Sequence, residues 1–258
     1  QAVPFGMGLI FEATAASAYT SICLEDAGSH FIVVDMGAGT TDIAALARLG
    51  PRTMELPEAR VTLKQAGDFI DQVIANRVIE AASWARSTAD KSALWTFLMR
   101  QMRDIKETLF ADGRAVLRLN GRQVAINLRD LEKDADFRAF FKSLSDAYTH
   151  ALAVVRDDAA ARGRTEVQAV AVGGGAAAPF IQDLIRKKAT RSTPRVAPRP
   201  ATPEWAHAGE FRGNLAPVFP QLSISIGGAL APDTMLAVTV GGTTQSGAAQ
   251  TGTPAARD

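Results

Sequence analysis

Residues Phe31–Asp42 read FIVVDMGAGTTD. Asp35 follows a short apolar run, Gly37 and Gly39 flank Ala38, and Thr40, Thr41 and Asp42 close the stretch. These are the groups needed to hold a phosphate and its metal ion. Glycine brings backbone N–H groups close to a ligand with no Cβ in the way, and successive amides in such a turn form an anion-binding concavity. The hydroxyls of Thr40 and Thr41 add donors. Asp35 is suited to hold Mg²⁺ through water, because that ion keeps several waters and takes few carboxylates. The same residues would equally serve as an ordinary turn between two antiparallel strands. A second glycine run lies far along the chain, in Val167–Phe180, VQAVAVGGGAAAPF. An apolar strand there runs into Gly173, Gly174 and Gly175, and Pro179 suits the first position of a helix. A helix start attracts phosphate, although a plain strand-to-helix connection has the same composition. Asp42 stands where the third glycine of G-x-G-x-x-G would be, and no G-K-[ST] follows any glycine run, which excludes a P-loop.

The elements that must carry these turns follow from hydrophobic spacing. Phe31–Val34 reads as a buried strand, Ile43–Leu49 as a second and the neighbourhood of Ala59–Leu63 as a third, joined by short turns as an antiparallel meander. Gly67 and Asp68 introduce a helix with Asp68 as its cap; Phe69, Ile70, Val73, Ile74 and Val78 face a core. A longer helix carries Leu94, Leu98, Met102, Ile105 and Leu109 on one stripe and stops at Gly113, leaving Arg100, Arg103, Lys106 and Glu107 off the stripe as a solvated face. Asn120-Gly121 between alternating runs predicts a two-residue hairpin. Phe137 to about Ala161 is a helix ended by Gly163. Leu9–Ile22 reads as a small-residue helix whose one acid, Glu12, is either an exposed helix-start residue or a buried group that needs a partner. Arg191–Pro203 should be extended and on the surface, and residues 241–258 disordered.

The 258 residues are 47% apolar with a net charge of +1, a profile without global bias toward nucleic acid. No apolar run approaches the roughly 20 residues of a membrane span. Cys23 is the only cysteine, so no internal disulfide forms and a reducing, cytoplasmic compartment is expected. His30, His150 and His207 are scattered and read as surface or satisfied residues. The chain opens on Gln1, which suggests a piece of a longer protein.

Taken together, the motifs resemble the actin-like ATPase superfamily of actins, sugar kinases and seventy-kilodalton heat-shock chaperones. Asp35–Asp42 is similar to its second phosphate motif and Val170–Pro179 to its adenosine motif. Glu12-Ala13-Thr14-Ala15-Ala16 resembles the chaperones' E-P-T-A-A, Ala66–Asp71 their G-G-x-D-F-D, and Ser225–Ala229 their A-x-G-A-A. The resemblance implies an α/β, ribonuclease H-like mixed sheet flanked by helices, with a smaller inserted α/β subdomain. Residues 1–29 would hold a helix crossing from a first lobe, 30–66 and 130–240 the core of lobe two, and 67–129 the inserted helices and hairpin. It implies ATP or ADP with Mg²⁺ as cofactors. Asp35, Glu12 and Asp42 would be catalytic. Gly37, Ala38, Gly39, Thr40, Thr41, Gly173, Gly174 and Gly175 would hold the nucleotide, and Lys106 would reach its nucleoside. The implied function is the ATP-binding lobe of a chaperone-like ATPase whose hydrolysis drives lobe closure on a client peptide, with a co-chaperone or exchange factor as further partners.

Departures from that pattern keep other readings open. Arg103, Glu107, Gly175 and Ala177 stand where the chaperones carry their adenine-clamping residues, while the plain GGGA loop and I-K-E context are closer to bacterial actin-like proteins of the MreB and FtsA type. These features favour a nucleotide-dependent assembly protein that self-associates. A degenerate lobe that does not hydrolyse is the third alternative. Glu204–Pro220 reads as an insertion. The superfamily's first phosphate motif does not occur in this sequence, so the chain alone is expected to bind nucleotide weakly and turn none over.

Overall fold

The computed structural model describes residues 30–49, 52–119, 121–199, 202, 206, 215–216 and 218–229. The expected helix over residues 9–22, with Glu12, and the expected disordered tail lie outside the described residues, as does most of the proposed insertion.

Strand β1 (His30–Met36) is buried at every position, as its unbroken apolar run requires of a strand covered on both faces. It pairs antiparallel with β2 (Thr41–Leu49), which pairs antiparallel with β3 (Arg52–Leu63). On its other side β1 runs parallel to β6 (Glu166–Val172), and β6 runs parallel to β7 (Arg195–Arg199). The sheet order is therefore β3-β2-β1-β6-β7, a mixed sheet. Between β3 and β6 in sequence come α1 (Gly67–Ala81), α2 (Thr88–Asp112), the hairpin β4 (Arg114–Leu119) and β5 (Arg122–Asn127), α3 (Leu128–Lys133) and α4 (Ala135–Ala161). Helix α5 (Pro179–Lys188) joins β6 to β7, and α6 (Phe219–Ala229) rests on β6. This is the mixed α/β sheet with flanking helices of a ribonuclease H-like, actin-like fold.

Helix α4 lies across β1, β2 and β3 and buries Phe140, Leu144, Tyr148, Ala151, Leu152 and Val155. The stripe Leu94, Leu98, Met102, Ile105 and Leu109 is the buried face of α2, and Gly113 ends that helix in the left-handed conformation. The hairpin pairs Leu119 with Arg122 across the expected two-residue turn. Buried His30 meets Asp158 Oδ2 at 2.8 Å, and His150 meets the Glu58 carbonyl at 2.8 Å. His207 lies outside the described residues.

Three expectations are corrected. The third strand begins at Arg52, well before Ala59, because Pro57 and Glu58 are exposed in an irregular stretch where the pairing jumps from Ala45–Leu56 to Ile43–Val61. A proline there breaks no ladder bond. Asp68 does not cap α1; the cap position is Ala66, without a side-chain bond. The first amides of α1 are satisfied by the glycine turn instead, Gly67 N–H donating to the Gly37 carbonyl at 3.2 Å and Asp68 N–H to the Ala38 carbonyl at 2.8 Å. Finally, Arg195–Arg199 is extended as expected but joins the sheet as β7. That edge offers little to a further strand: Val196 N–H is taken by the Thr190 carbonyl and Pro198 has none.

Asp134 ties α4 to the inserted helices. Its carboxylate accepts from the backbone N–H groups of Asp136 and Phe137 at 2.8 and 3.0 Å and pairs with Arg77 Nε of α1 at 2.7 Å. Burial pushes its pKa up, but those two amides and Arg77 outweigh it and hold the carboxyl below its ordinary value. A depressed pKa contributes stability that is present above the unfolded value of about 3.9 and is lost as pH falls through the folded one. Asp134→Ala should therefore cost about 1–2 kcal/mol near neutrality, and denaturant titrations should show the gap to wild type closing below about pH 4.

Candidate functional site

Because β1 and β6 are adjacent and parallel, their carboxyl ends lie side by side, with Asp35 opposite Val172. Both glycine turns leave from those ends, where open α/β sheets bind ligands. The turns touch: Gly175 N–H donates to the Met36 carbonyl at 2.8 Å. A Cβ on Gly173 would lie 2.4 Å from Asp35 Oδ1, and one on Gly175 would lie 2.6 Å from both Cγ and Sδ of Met36. Gly173 also has φ +82°, where side chains are rarely found. Both positions thus need glycine, for contact with the first turn. Gly174 is different, with only Gln221 Nε2 at 3.9 Å from its Cβ position.

Above these ends opens a cleft of about 840 Å³. Its floor includes Met36, Gly37, Ala38, Gly174 and Gly175; its far wall is Asp68 and Asp71 of α1 with Arg103, Lys106, Glu107 and Phe110 of α2. Val218 and Gln221 complete the rim. Of the residues singled out from sequence, Gly37, Ala38, Gly174, Gly175 and Lys106 line this one cleft. The others sit beside it. Asp35 is buried at 3% exposure at the end of β1, against Gly173. Gly39 and Thr40 are exposed at the turn's tip. Asp42 accepts from Thr40 Oγ1 at 3.0 Å and Thr62 Oγ1 at 2.5 Å. Thr41 faces inward: it is fully buried and its hydroxyl donates to the Gln65 carbonyl at 2.9 Å, which fixes the connection leading to α1. Glu12 lies outside the described residues.

Phe180 holds the second turn down. It follows Pro179 at the start of α5, and its ring packs edge-on against Phe137, Phe140, Phe141 and Phe110 with centroids 5.4–6.4 Å apart. Phe110 is shared between that cluster and the cleft wall. The wall is mixed in charge: Lys106 Nζ pairs with Asp71 Oδ1 at 2.6 Å, and Arg103 Nε with Glu107 Oε1 at 2.9 Å.

Sequence reasoning missed most of this wall. Arg103, Lys106 and Phe110 recur at helical spacing on α2; the periodicity alone gave Arg103 and Lys106 as a solvated face, only the family resemblance pointed to them, and Phe110 was not singled out. Asp68 was read as a helix cap, Asp71 entered within the Ala66–Asp71 resemblance, and Val218 fell in the stretch taken for an insertion. Only the meeting of α1, α2 and the glycine turns gives these residues a common surface.

The two long turns predict contrasting glycine variants. Gly173→Ala should destabilise the protein by roughly 1–3 kcal/mol or more, since both φ and the contact with Asp35 oppose a side chain. Gly174→Ala, with open space around it, should stay within about 0.5 kcal/mol of wild type. Equilibrium denaturation of the two variants checks the pair.

No family model matches the chain. Two curated relatives share a short stretch with it: the actin-like protein MamK of Paramagnetospirillum magneticum is 47% identical over 49 residues, 19% of this chain and 13% of the relative. The actin-like protein MamK of Magnetospirillum gryphiswaldense is 44% identical over 52 residues, 20% of this chain and 13% of the relative. The matched stretch spans about an eighth of either relative's length. Within that span, the similarity supports membership of the actin-like ATPase superfamily.

Proposed function

We propose that this chain is the nucleotide-binding second lobe of a bacterial actin-like assembly protein, in which bound ATP or ADP sets the state of self-association. The observation that carries the reading is the hydrogen bond from Gly175 N–H to the Met36 carbonyl, which makes two turns far apart in sequence the floor of one cleft. The cleft falls in the size range of small-molecule sites. Its floor is glycine backbone, suited to close approach by phosphate.

The residues present fit a magnesium nucleotide. Asp35 is buried beside Gly173 and would carry the metal through water; among the described residues no three acids, cysteines or histidines converge to hold an ion directly. Gly37, Ala38, Gly39 and Thr40 would take the outer phosphates, and Gly173–Gly175 the inner phosphate and ribose. Thr41 supports that turn from beneath by its bond to Gln65, and Asp42 holds the Thr40 hydroxyl. Magnesium, when bound, supplies charge neutralisation for phosphoryl chemistry. The protein's part is to orient the phosphates and to keep Asp35 fixed at the end of β1, against Gly173. Glu12 would assist from the crossing helix.

The curated relatives favour assembly over the chaperone-like reading, which rests mainly on the E-x-T-A-A match at residues 12–16. Client peptides and co-chaperones accordingly drop behind self-association as partners. Sedimentation of the intact protein with and without Mg-ATP should show pelleted polymer that grows on adding nucleotide; a sedimenting fraction indifferent to ATP would sink the assembly reading. In the same protein Asp35→Asn should lower ATP turnover by roughly a hundredfold, measured by phosphate release, with ATP still bound.

A further inference from the structure

Asp42 stands in a row of side chains that crosses the sheet. The register sets it directly opposite Asp35 on β1 and directly opposite Thr62 on β3, so the three side chains leave the same face. Like charges opposed on neighbouring strands repel, yet Asp42 meets Asp35 in this way at the foot of the cleft. Both Asp42 oxygens are engaged elsewhere. Oδ2 accepts from Thr40 Oγ1 at 3.0 Å and Oδ1 from Thr62 Oγ1 at 2.5 Å. One donor comes from the tip of the first glycine turn, and the other from the strand on the far side of Asp42 from Asp35.

The irregularity in β3 is what brings Thr62 to this position. Counted on from the Ala45–Leu56 pair without a break, Ala59 would face Asp42; the shift to Ile43–Val61 puts Thr62 there instead. Bulges beside a ligand site commonly re-aim a side chain in this way. Thr62 is exposed and is not among the residues that line the cleft. On the nucleotide reading of the cleft, on which this rests, we propose that Thr62 is a positioning residue for the phosphate end of the site. Its hydroxyl holds the Asp42 carboxylate, and Asp42 in turn holds the Thr40 hydroxyl, so the tip of the turn is set before the outer phosphates arrive. Groups fixed beforehand favour the transition state because they need no rearrangement during reaction. Loss of the Thr62 hydroxyl therefore falls on turnover and not on binding.

The test uses the intact protein and reads ATP turnover by phosphate release, with kcat and KM separated. Thr62→Val keeps the β-branched shape and removes the hydroxyl. Its kcat should fall about tenfold, the worth of a hydrogen bond to a charged group, with KM near the wild-type value. Thr62→Ser, which keeps a hydroxyl, should retain most of the wild-type turnover and guards against a variant that merely fails to fold. Adding Thr62→Val to Asp42→Ala should cost nothing further, because Thr62 acts through Asp42. Wild-type kcat in Thr62→Val, a Thr62→Ser protein as slow as Thr62→Val, or a full further loss in the double variant overturns the inference while leaving the nucleotide reading intact. So does a wild type that binds ATP without hydrolysing it. A wild type that binds no ATP overturns that reading itself, and the inference with it.

Discussion

The contact on which this structure depends is backbone against backbone: the Gly173–Gly175 turn lies directly on Asp35 and Met36. There is no space for a side chain at either end of that turn. Two neighbouring parallel strands end at the same level, and each is followed at once by a turn. Without the missing Cβ atoms the turns would be pushed apart and the cleft would lose its floor. The parallel pairing of β1 with β6 is what brings them to this distance.

The rest of the local architecture holds that contact in place. On one side α1 delivers its first amides to the carbonyls of Gly37 and Ala38, so the helix start and the first turn satisfy each other. On the other, Phe180 sinks into a cluster of four rings and anchors the residues that follow the second turn. Helix α2 closes the wall and is itself tied to α1 by Lys106 and Asp71. The result divides the cleft chemically, with glycine backbone at the floor and paired charges at the wall.

Much of the fold was legible in the sequence because it is written in local chemistry. The apolar run at Phe31–Val34, the periodic stripes of α2 and α4, the Asn120-Gly121 turn and Pro179 at a helix start each specify their element over a few residues. The errors came where a distant partner overrode the local signal. The third strand was expected only near Ala59–Leu63, but β3 begins at Arg52 and passes Pro57 through an exposed irregularity. Asp68 looked like a cap, but the glycine turn had taken that role. The proline- and arginine-rich stretch after Arg191 looked like surface chain, yet β6 supplied the edge that made it a strand.

By itself the sequence determined the element types, the two glycine turns and the residues able to meet a phosphate, since each depends on conformational preferences and side-chain chemistry within a short window. Only the tertiary structure decided which of those residues share a surface. It set Thr41 inward to support the turn, brought Asp71 to Lys106, and made Phe110, Val218 and Gln221 part of the same cleft. The physical reason is that these relations are fixed by strand adjacency and helix packing between segments from 24 to more than a hundred residues apart in the chain, where side-chain spacing carries no information.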